Sequence, residues 1–184
     1  METMKKSDIT KRKLLQSVEE LLDEKKFEAI TIRDITNHAG LAVGTFYKYF
    51  SCKEEALLYI YRQADDTFRD LEESDNPTQN IRRILVVYYH MVENDHQDLD
   101  RAIYRAHLTF HDDYFFTEER ELFRRLCANI KALEPNKNAG DMTWKLLVFM
   151  RGLIYNYLIT FTRDEAWHEH CVSATIDYLT YLLH

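Results

Sequence analysis

Helix-breaking residues and cross-linking residues are scarce in this 184-residue sequence. It contains four glycines and two prolines, far below the usual frequencies of roughly 7% and 5%. This scarcity excludes a turn-rich β fold, and the many Leu, Glu, Lys and Arg residues favour helices instead. The three cysteines are odd in number and widely spaced, which excludes a disulfide framework and a zinc ribbon. We therefore expect an all-α chain.

Long apolar runs and a targeting signal are also missing. No stretch reaches the roughly 18 apolar residues that a membrane span needs. The charged N-terminus, METMKKSDITKRK, has no apolar segment behind it, and so it does not have the pattern of a signal peptide. We therefore expect a cytoplasmic protein with no membrane partner.

Charge is divided unevenly along the chain, whose net charge is −7. Residues 1–53 carry 10 basic and 8 acidic side chains, a net charge of +2. Residues 54–184 carry 14 basic and 23 acidic side chains, a net charge of −9. Only the first part can approach a polyanion without general repulsion. We therefore predict two domains, 1–53 and 54–184.

Apolar spacing and capping residues predict nine helices. The segment SCKE at 51–54 resembles a capping box, and NP at 76–77 resembles an N-cap followed by proline at the first helical position. The predicted helices are one that ends before residue 27, followed by 31–39, 43–49, 51–72, 77–93, 98–110, 117–132, 141–163 and 165–183.

The clearest functional pattern lies in residues 31–53, TIRDITNHAGLAVGTFYKYFSCK. Thr31 can cap a short helix, and Gly40 stands where the end of that helix favours a left-handed residue. A second short helix starts at about residue 42. Two short helices joined by a tight glycine turn are typical of a helix-turn-helix, here at 31–50. In such a motif the second helix enters the major groove of DNA, and its predicted outward residues are Val43, Thr45, Tyr47 and Lys48.

This segment resembles the TetR family of one-component transcriptional regulators. The likeness covers about residues 8–68 and is carried by TIRDI at 31–35, AGL at 39–41, GTFYKYF at 44–50 and KEEAL at 53–57. It implies a three-helix DNA-binding domain followed by a helical domain for ligand binding and dimerisation. It also implies a homodimeric repressor that binds a pseudo-palindromic operator in double-stranded DNA and is released by a small-molecule effector.

The resemblance implies DNA contacts at eight positions. Phosphate contacts would come from the start of the first short helix, from the end of the second and from Lys53 at the start of the next helix. Base contacts would come from the start of the second short helix, and Arg33 would reach either a base edge or a phosphate. Ala42 and Val43 replace polar residues that many relatives carry, so shape readout gains weight over hydrogen bonding. The residues placed at the DNA are Thr31, Arg33, Val43, Gly44, Thr45, Tyr47, Lys48 and Lys53.

Aromatic residues are concentrated after residue 53, where 19 of the 24 lie. Core packing explains any one of them, but together they also suit an apolar cavity with a few orienting polar groups. By the family resemblance, such a cavity would hold the effector. Its predicted lining is Tyr61, Phe68, Tyr88, Tyr89, Tyr104, His107, Phe110, Phe123, Trp144 and Phe149.

The last two predicted helices are apolar on more than one face, which indicates a partner surface. Gly152, in the middle of the first of them, suggests the close approach of another helix. In the resembled family these two helices pair with their mates in a four-helix dimer bundle. The predicted interface residues are Leu146, Met150, Leu153, Tyr157, Trp167, Cys171, Tyr178 and Leu182.

A helical ligand- or metal-binding protein with a non-functional helix-turn-helix is the alternative. His107 and His111 stand four residues apart, and Glu165-x-x-His168 matches half of a di-iron pattern. The sequence contains no HExxH, Walker A, GxGxxG or GxSxG motif. We therefore predict neither an enzyme nor a metal or cofactor site.

Overall fold

The computed structural model describes residues 6–94, 97–110, 112–160 and 166–184. All regular secondary structure in these ranges is helical, which confirms the all-α class. Two short 3-10 turns, Phe27–Ala29 and Asp113–Phe116, lie between successive α-helices. The α-helices are α1 (Lys6–Glu24), α2 (Ile32–His38), α3 (Val43–Phe46), α4 (Lys53–Ala64), α5 (Asp66–Arg69), α6 (Pro77–Asn94), α7 (Gln97–Thr109), α8 (Glu121–Leu133), α9 (Ala139–Thr160) and α10 (Trp167–Leu183).

The prediction of a single helix over residues 51–72 was wrong, because the structure divides this segment. It consists of α4 and α5, which are separated at Asp65. The Phe68 N–H donates to the Asp65 carbonyl at 3.1 Å, and this i to i+3 bond tightens the backbone at that point. Counted as one element, α4 and α5 give the predicted total of nine helices within the described residues.

Other predicted boundaries need smaller corrections. The helix predicted at 43–49 ends at Phe46 and continues as a turn, and the one predicted from 117 begins at Glu121. The N-cap predicted before Pro77 is confirmed, because Asn76 Oδ1 accepts from the Gln79 N–H at 3.1 Å. At the start of α4, Glu55 rather than Glu54 accepts from the Ser51 N–H, at 2.6 Å. The helix ends predicted at 163 and 165 lie outside the described residues.

The chain folds into two compact units. The first comprises Met1–Gln63 and Asp98–Asp112, and the second comprises Ala64–Gln97 and Asp113–His184. Helix α7 therefore belongs to the first unit, where Ala102, Ile103 and Ala106 are buried in the same apolar cluster as Leu14 and Phe46. The functional boundary predicted at residue 53 stays a prediction.

The second unit is a helical bundle built around α6 and α9. Helix α6 packs against α8 and α10, both of which also pack against α9, and α5 packs against α8. The core side chains are apolar and include the fully buried residues Phe68, Ile81, Leu85, Tyr89, Leu122, Leu126 and Ile130.

A buried ion pair fixes the start of α5 inside this unit. Asp65 Oδ1 lies 3.2 Å from Arg120 Nη2, and the two side chains are only 2% and 4% exposed. Asp65 Oδ2 accepts from the Tyr114 hydroxyl at 3.0 Å and from the Glu121 N–H at 2.6 Å. Burial and the neighbouring Asp65 carboxylate raise the pKa of Tyr114 to about 12. One carboxylate thus joins the break between α4 and α5 to the N-terminus of α8.

Candidate nucleic-acid interface

A capping box fixes the start of α2. The Thr31 hydroxyl accepts from the Asp34 N–H at 3.1 Å, and Asp34 Oδ2 accepts from the Thr31 N–H at 2.8 Å. Lys25 Nζ lies 3.0 Å from the same carboxylate oxygen. Donation from the Thr31 backbone, followed by the contact with Lys25, lowers the pKa of Asp34 to about 2. The first turn of α2 is therefore held in place by local bonds that satisfy its terminal donors.

The turn between α2 and α3 uses the conformational freedom of one glycine. Gly40 has a φ of 67°, in the left-handed region that favours glycine. The Leu41 N–H then donates back to the Thr36 carbonyl at 2.8 Å. Ile35 and Phe46 are fully buried in the apolar cluster of the first unit. The predicted helix-turn-helix geometry is thus confirmed at its turn and at its core.

Most of the predicted DNA-contacting residues form the outer surface of this helix pair. Thr31, Arg33, Gly44 and Lys48 are exposed, and Thr45 is half-buried. Two more of them are apolar or aromatic and still face outward, Val43 at 39% exposure and Tyr47 at 57% exposure. We call these seven residues the α2–α3 surface. They bring together a guanidinium, an ammonium, hydroxyls and an apolar group, which is the mixture that contacts phosphates and base edges.

Gly44 leaves an opening in the α2–α3 surface. Among the described residues, no heavy atom lies within 4 Å of the Cβ that another residue would place there. The fold itself therefore does not require glycine at this position. The missing side chain instead lowers the surface at the start of α3, where a double helix could approach the backbone.

Thr31 and Lys53 already have partners within the unit. The Thr31 hydroxyl lies 2.8 Å from Asp34 Oδ2, to which it donates. Lys53 Nζ donates to the carbonyl oxygens of Phe27, Glu28 and Ile30. Sequence reasoning missed these bonds, because they join Lys53 to residues more than 20 positions earlier in the chain.

Two further contacts in the first unit were not predicted. Lys11 Nζ lies 3.3 Å from the centre of the Tyr59 ring, which ties α1 to α4 through a cation–π contact. Arg105 Nη1, on α7, lies 2.5 Å from Oε1 of Glu28, in the 3-10 turn before α2. The backbone N–H of Glu28 and the charge of Arg105 lower the pKa of that carboxyl. Helix α7 therefore reaches the segment that leads into the helix-turn-helix.

The ten residues predicted to line an effector cavity are distributed over both units. Tyr61, Tyr104, His107 and Phe110 belong to the first unit, where the Tyr61 and His107 rings meet edge to face at 5.6 Å. Tyr89 is a core residue of the second unit, and its hydroxyl lies 2.7 Å from Thr175 Oγ1. Burial raises the pKa of Tyr89. The other residues in the second unit are Phe68, Tyr88, Phe123, Trp144 and Phe149.

Half of the residues predicted for the dimer interface are buried inside a single protomer. Leu146 and Met150 are 0% exposed, Tyr157 is 2% exposed and Cys171 is 5% exposed. These side chains pack in the core of the second unit in this conformation, and their place in a dimer interface stays a prediction. The remaining four are half-buried: Leu153, Trp167, Tyr178 and Leu182.

Helix α9 instead exposes a different apolar stripe. Val148, Tyr155 and Ile159 are 64%, 56% and 53% exposed, and Gly152 lies between them in the sequence. Their spacing of four, three and four residues places them on one face of the helix. Among the described residues, no atom lies within 4 Å of a Cβ built at Gly152. The close approach that Gly152 suggested is therefore absent within the described part of the protomer. We call these four residues the α9 stripe.

The metal patterns and the membrane prediction can be compared only with the described residues. Among these residues, no group of three or more His, Cys, Asp or Glu side chains could hold a metal ion. His111 and Glu165, which belong to the two candidate patterns, lie outside the described residues. No helix in the described ranges combines the length and apolar character needed to cross a membrane.

Comparisons with known proteins agree with the geometry of the first unit. Residues 14–60 match the family described as "Bacterial regulatory proteins, tetR family". EthR, an HTH-type transcriptional regulator of Mycolicibacterium smegmatis, is 34% identical over 82 residues, which cover 41% of this chain and 38% of that protein. The chain thus aligns with less than half of this curated relative.

Solved structures resemble nearly the whole chain. A TetR transcriptional regulator from Rhodococcus sp. RHA1 has a TM-score of 0.71 at 16% identity, covering 98% of this chain and 100% of that one. The multidrug binding protein EbrR, solved in complex with ethidium, has a TM-score of 0.55 at 14% identity, covering 95% of this chain and 99% of that one. At these identities the likeness shows the fold.

Proposed function

We propose that this chain is a member of the TetR family of bacterial regulatory proteins and acts as a cytoplasmic, homodimeric repressor of transcription. It binds a pseudo-palindromic operator in double-stranded DNA and leaves it when a small-molecule effector binds. The observation that carries the proposal is the α2–α3 surface. Apolar residues of the two helices are buried in one cluster, and the cationic and hydroxyl side chains of this surface lie on the outside.

The α2–α3 surface divides into positioning contacts and base contacts. Tyr47 and Lys48 lie in the turn that follows α3, where a phenol hydroxyl and an ammonium can hold phosphate oxygens. Val43 and Thr45 lie in α3 itself, where Val43 can touch a thymine methyl and Thr45 can bond a base edge. Arg33, on α2, can reach either a base or a phosphate. Few side chains thus read bases directly, so DNA shape contributes correspondingly more.

Dimerisation through the α9 stripe supplies the twofold symmetry that a pseudo-palindrome requires. Large apolar side chains that are more than half exposed are costly to leave in water. A second copy of α9, lying close over Gly152, would cover Val148, Tyr155 and Ile159. Such a dimer presents two recognition helices, which must be about 34 Å apart to enter successive major grooves.

The effector belongs to the helical part of the chain after the DNA-binding segment. EbrR shares this fold and was solved with ethidium, which supports a small-molecule site within such a helical bundle. The effector would favour a dimer whose recognition helices are wrongly spaced for the operator. A coupling free energy of about 3 kcal/mol would lower operator affinity about 150-fold.

Removal of one cation from the α2–α3 surface is expected to weaken DNA binding and to reduce its dependence on salt. Replacement of Lys48 by alanine removes one phosphate contact from each protomer and so two from the proposed dimer. The slope of log affinity against log salt concentration should therefore fall in magnitude by about 1.8, which is about 0.9 for each lost contact. Arg33→Ala should also lower affinity, by about 1–3 kcal/mol if it contacts a base. Fluorescence anisotropy with a labelled duplex over a series of salt concentrations measures both quantities.

Arg69→Ala is the matched control for this experiment. It removes the same charge from an exposed position in α5 of the second unit, where Arg69 pairs with Asp66. Its affinity and salt slope should equal those of the parent protein. If Arg33→Ala and Lys48→Ala also matched the parent in both quantities, the assigned contacts would be refuted.

A further inference from the structure

Lys53, the first residue of α4, is held in a cup of three backbone carbonyls. Its Nζ lies 2.8 Å from the Phe27 oxygen, 2.8 Å from the Ile30 oxygen and 3.3 Å from the Glu28 oxygen. The same nitrogen lies 4.5 Å from the centre of the Phe27 ring. These three acceptors belong to the short 3-10 turn and the residue that follows it, immediately before Thr31.

The ammonium group has no hydrogen left for another acceptor. A protonated lysine donates three hydrogen bonds and accepts none, and the three carbonyls account for all three. Lys53 is half-buried as a residue, and its ammonium lies over the Phe27 ring. A phosphate oxygen could therefore bind Lys53 only by displacing a carbonyl whose bond also fixes the turn. Lys48 differs in that it is exposed.

The position of the cup indicates what Lys53 does for the α2–α3 surface. Ile30 precedes Thr31, the N-cap of α2, and Arg33 lies in the first turn of the same helix. Lys53 therefore ties the start of α4 to the start of α2, while Lys25 and Asp34 hold the other side of the same segment. The two ends of the helix-turn-helix are joined through this one side chain.

We propose that Lys53 is a positioning residue for DNA binding, which orients α2 from within the fold, and that it makes no contact with phosphate. The proposal rests on the DNA-binding function proposed above and departs from the role that the family resemblance implies for this lysine. The positive charge of Lys53 still contributes to the electrostatic potential of the first unit. Its hydrogen bonds, however, are used to hold the backbone that carries Arg33.

Chemical labelling of the unaltered protein tests the proposal directly. The intact chain is treated briefly with acetic anhydride, and the modification of Lys48 and Lys53 is quantified by peptide mass spectrometry. In the free protein, Lys48 should be modified readily and Lys53 at least about tenfold more slowly, since its ammonium is bound as well as half-buried. In urea the two rates should become similar. A saturating duplex should protect Lys48 and leave the rate at Lys53 unchanged.

Two results would overturn the proposal: rapid labelling of Lys53 in the free protein, or DNA-dependent protection of Lys53 equal to that of Lys48. Failure of the proposed function has a different signature. In that case the duplex protects neither lysine, while slow labelling of Lys53 in the free protein still reports the carbonyl cup. Because no substitution is involved, the experiment does not depend on a variant that folds.

Substitutions by arginine separate positioning from phosphate contact. A phosphate accepts arginine at least as well as lysine, but the planar guanidinium cannot reproduce three convergent bonds from one nitrogen. Lys53→Arg and Lys53→Met should both weaken duplex binding, by about tenfold, the equivalent of one lost hydrogen bond. Both should keep the parent salt slope. Lys48→Arg should retain affinity, whereas Lys48→Met should lose about 1.8 in slope, because the dimer carries two copies of this lysine. Full affinity in Lys53→Arg, with a reduced slope in Lys53→Met, would contradict the proposal.

Discussion

Replacement of Asp65 by alanine is expected to lower the free energy of unfolding of the second unit by about 3–5 kcal/mol. The substitution removes the carboxylate that faces Arg120, and both side chains are almost completely buried. The guanidinium would then remain inside the unit without this counter-charge, and the Tyr114 hydroxyl and the Glu121 N–H would lose an acceptor. Urea unfolding followed by circular dichroism measures the loss.

Asp66→Ala is the control for this effect. Asp66 is the next residue, pairs with Arg69 at 2.8 Å, and is 60% exposed. Removal of an exposed ion pair costs little, so its free energy of unfolding should change by no more than about 1 kcal/mol. Equal stability of Asp65→Ala and Asp66→Ala would show that the buried pair does not stabilise the second unit.

Two carboxylates introduced into the α9 stripe are expected to convert the protein into monomers. In the variant Tyr155→Glu/Ile159→Glu, both substitutions are at positions that are more than half exposed in a single protomer. Its fold should therefore tolerate them. In the proposed dimer the same positions are buried, and burial of unpaired charges strongly disfavours association. The dimer dissociation constant should rise at least about a hundredfold, which corresponds to about 2.7 kcal/mol.

Sedimentation velocity and operator binding together measure this result. Loss of the second half-site removes the gain from bivalent binding, so operator affinity should fall by about 10²–10⁴. Leu108→Glu is the control, because Leu108 is 88% exposed on α7 rather than on α9. It should remain dimeric. A double variant that also remained dimeric would show that the α9 stripe is not the interface.

The helix-turn-helix could be predicted because its signals are local. Gly40 has the positive φ that its position between two short apolar segments indicated. Thr31 forms the expected N-cap, here as a full capping box with Asp34. Phe46 is buried, and it lies three residues after the exposed Val43. Each of these features depends on residues within a few positions of one another.

The hydrogen bonds of Lys53 and the break at Asp65 could not be predicted, because both depend on distant residues. The carbonyls that bind Lys53 lie 23 to 26 residues earlier in the chain, and Arg120 lies 55 residues after Asp65. Apolar spacing carries no information about such partners. The local pattern around Asp65 continues to be helical, and so it predicted one helix where the structure has two.

Four of the residues predicted for the dimer face lie on α9, and three of them are buried inside the protomer. Apolar residues occur on every side of this helix, so their spacing does not distinguish the face turned to the core from the face turned outward. Leu146 and Met150 form the inner face, and Val148 and Tyr155 the outer one. Only the packing of α9 against α8 and α10 separates the two.

Selection of duplex fragments from a random library at low ionic strength tests sequence-specific binding by the dimer. The unaltered protein should enrich an inverted repeat whose half-sites are centred about one helical turn, or a multiple of it, apart. Lys48→Ala should enrich the same repeat more weakly, because a phosphate contact carries no sequence information. Retention of no duplex at all, or enrichment of a single half-site by a monomeric protein, would contradict the account.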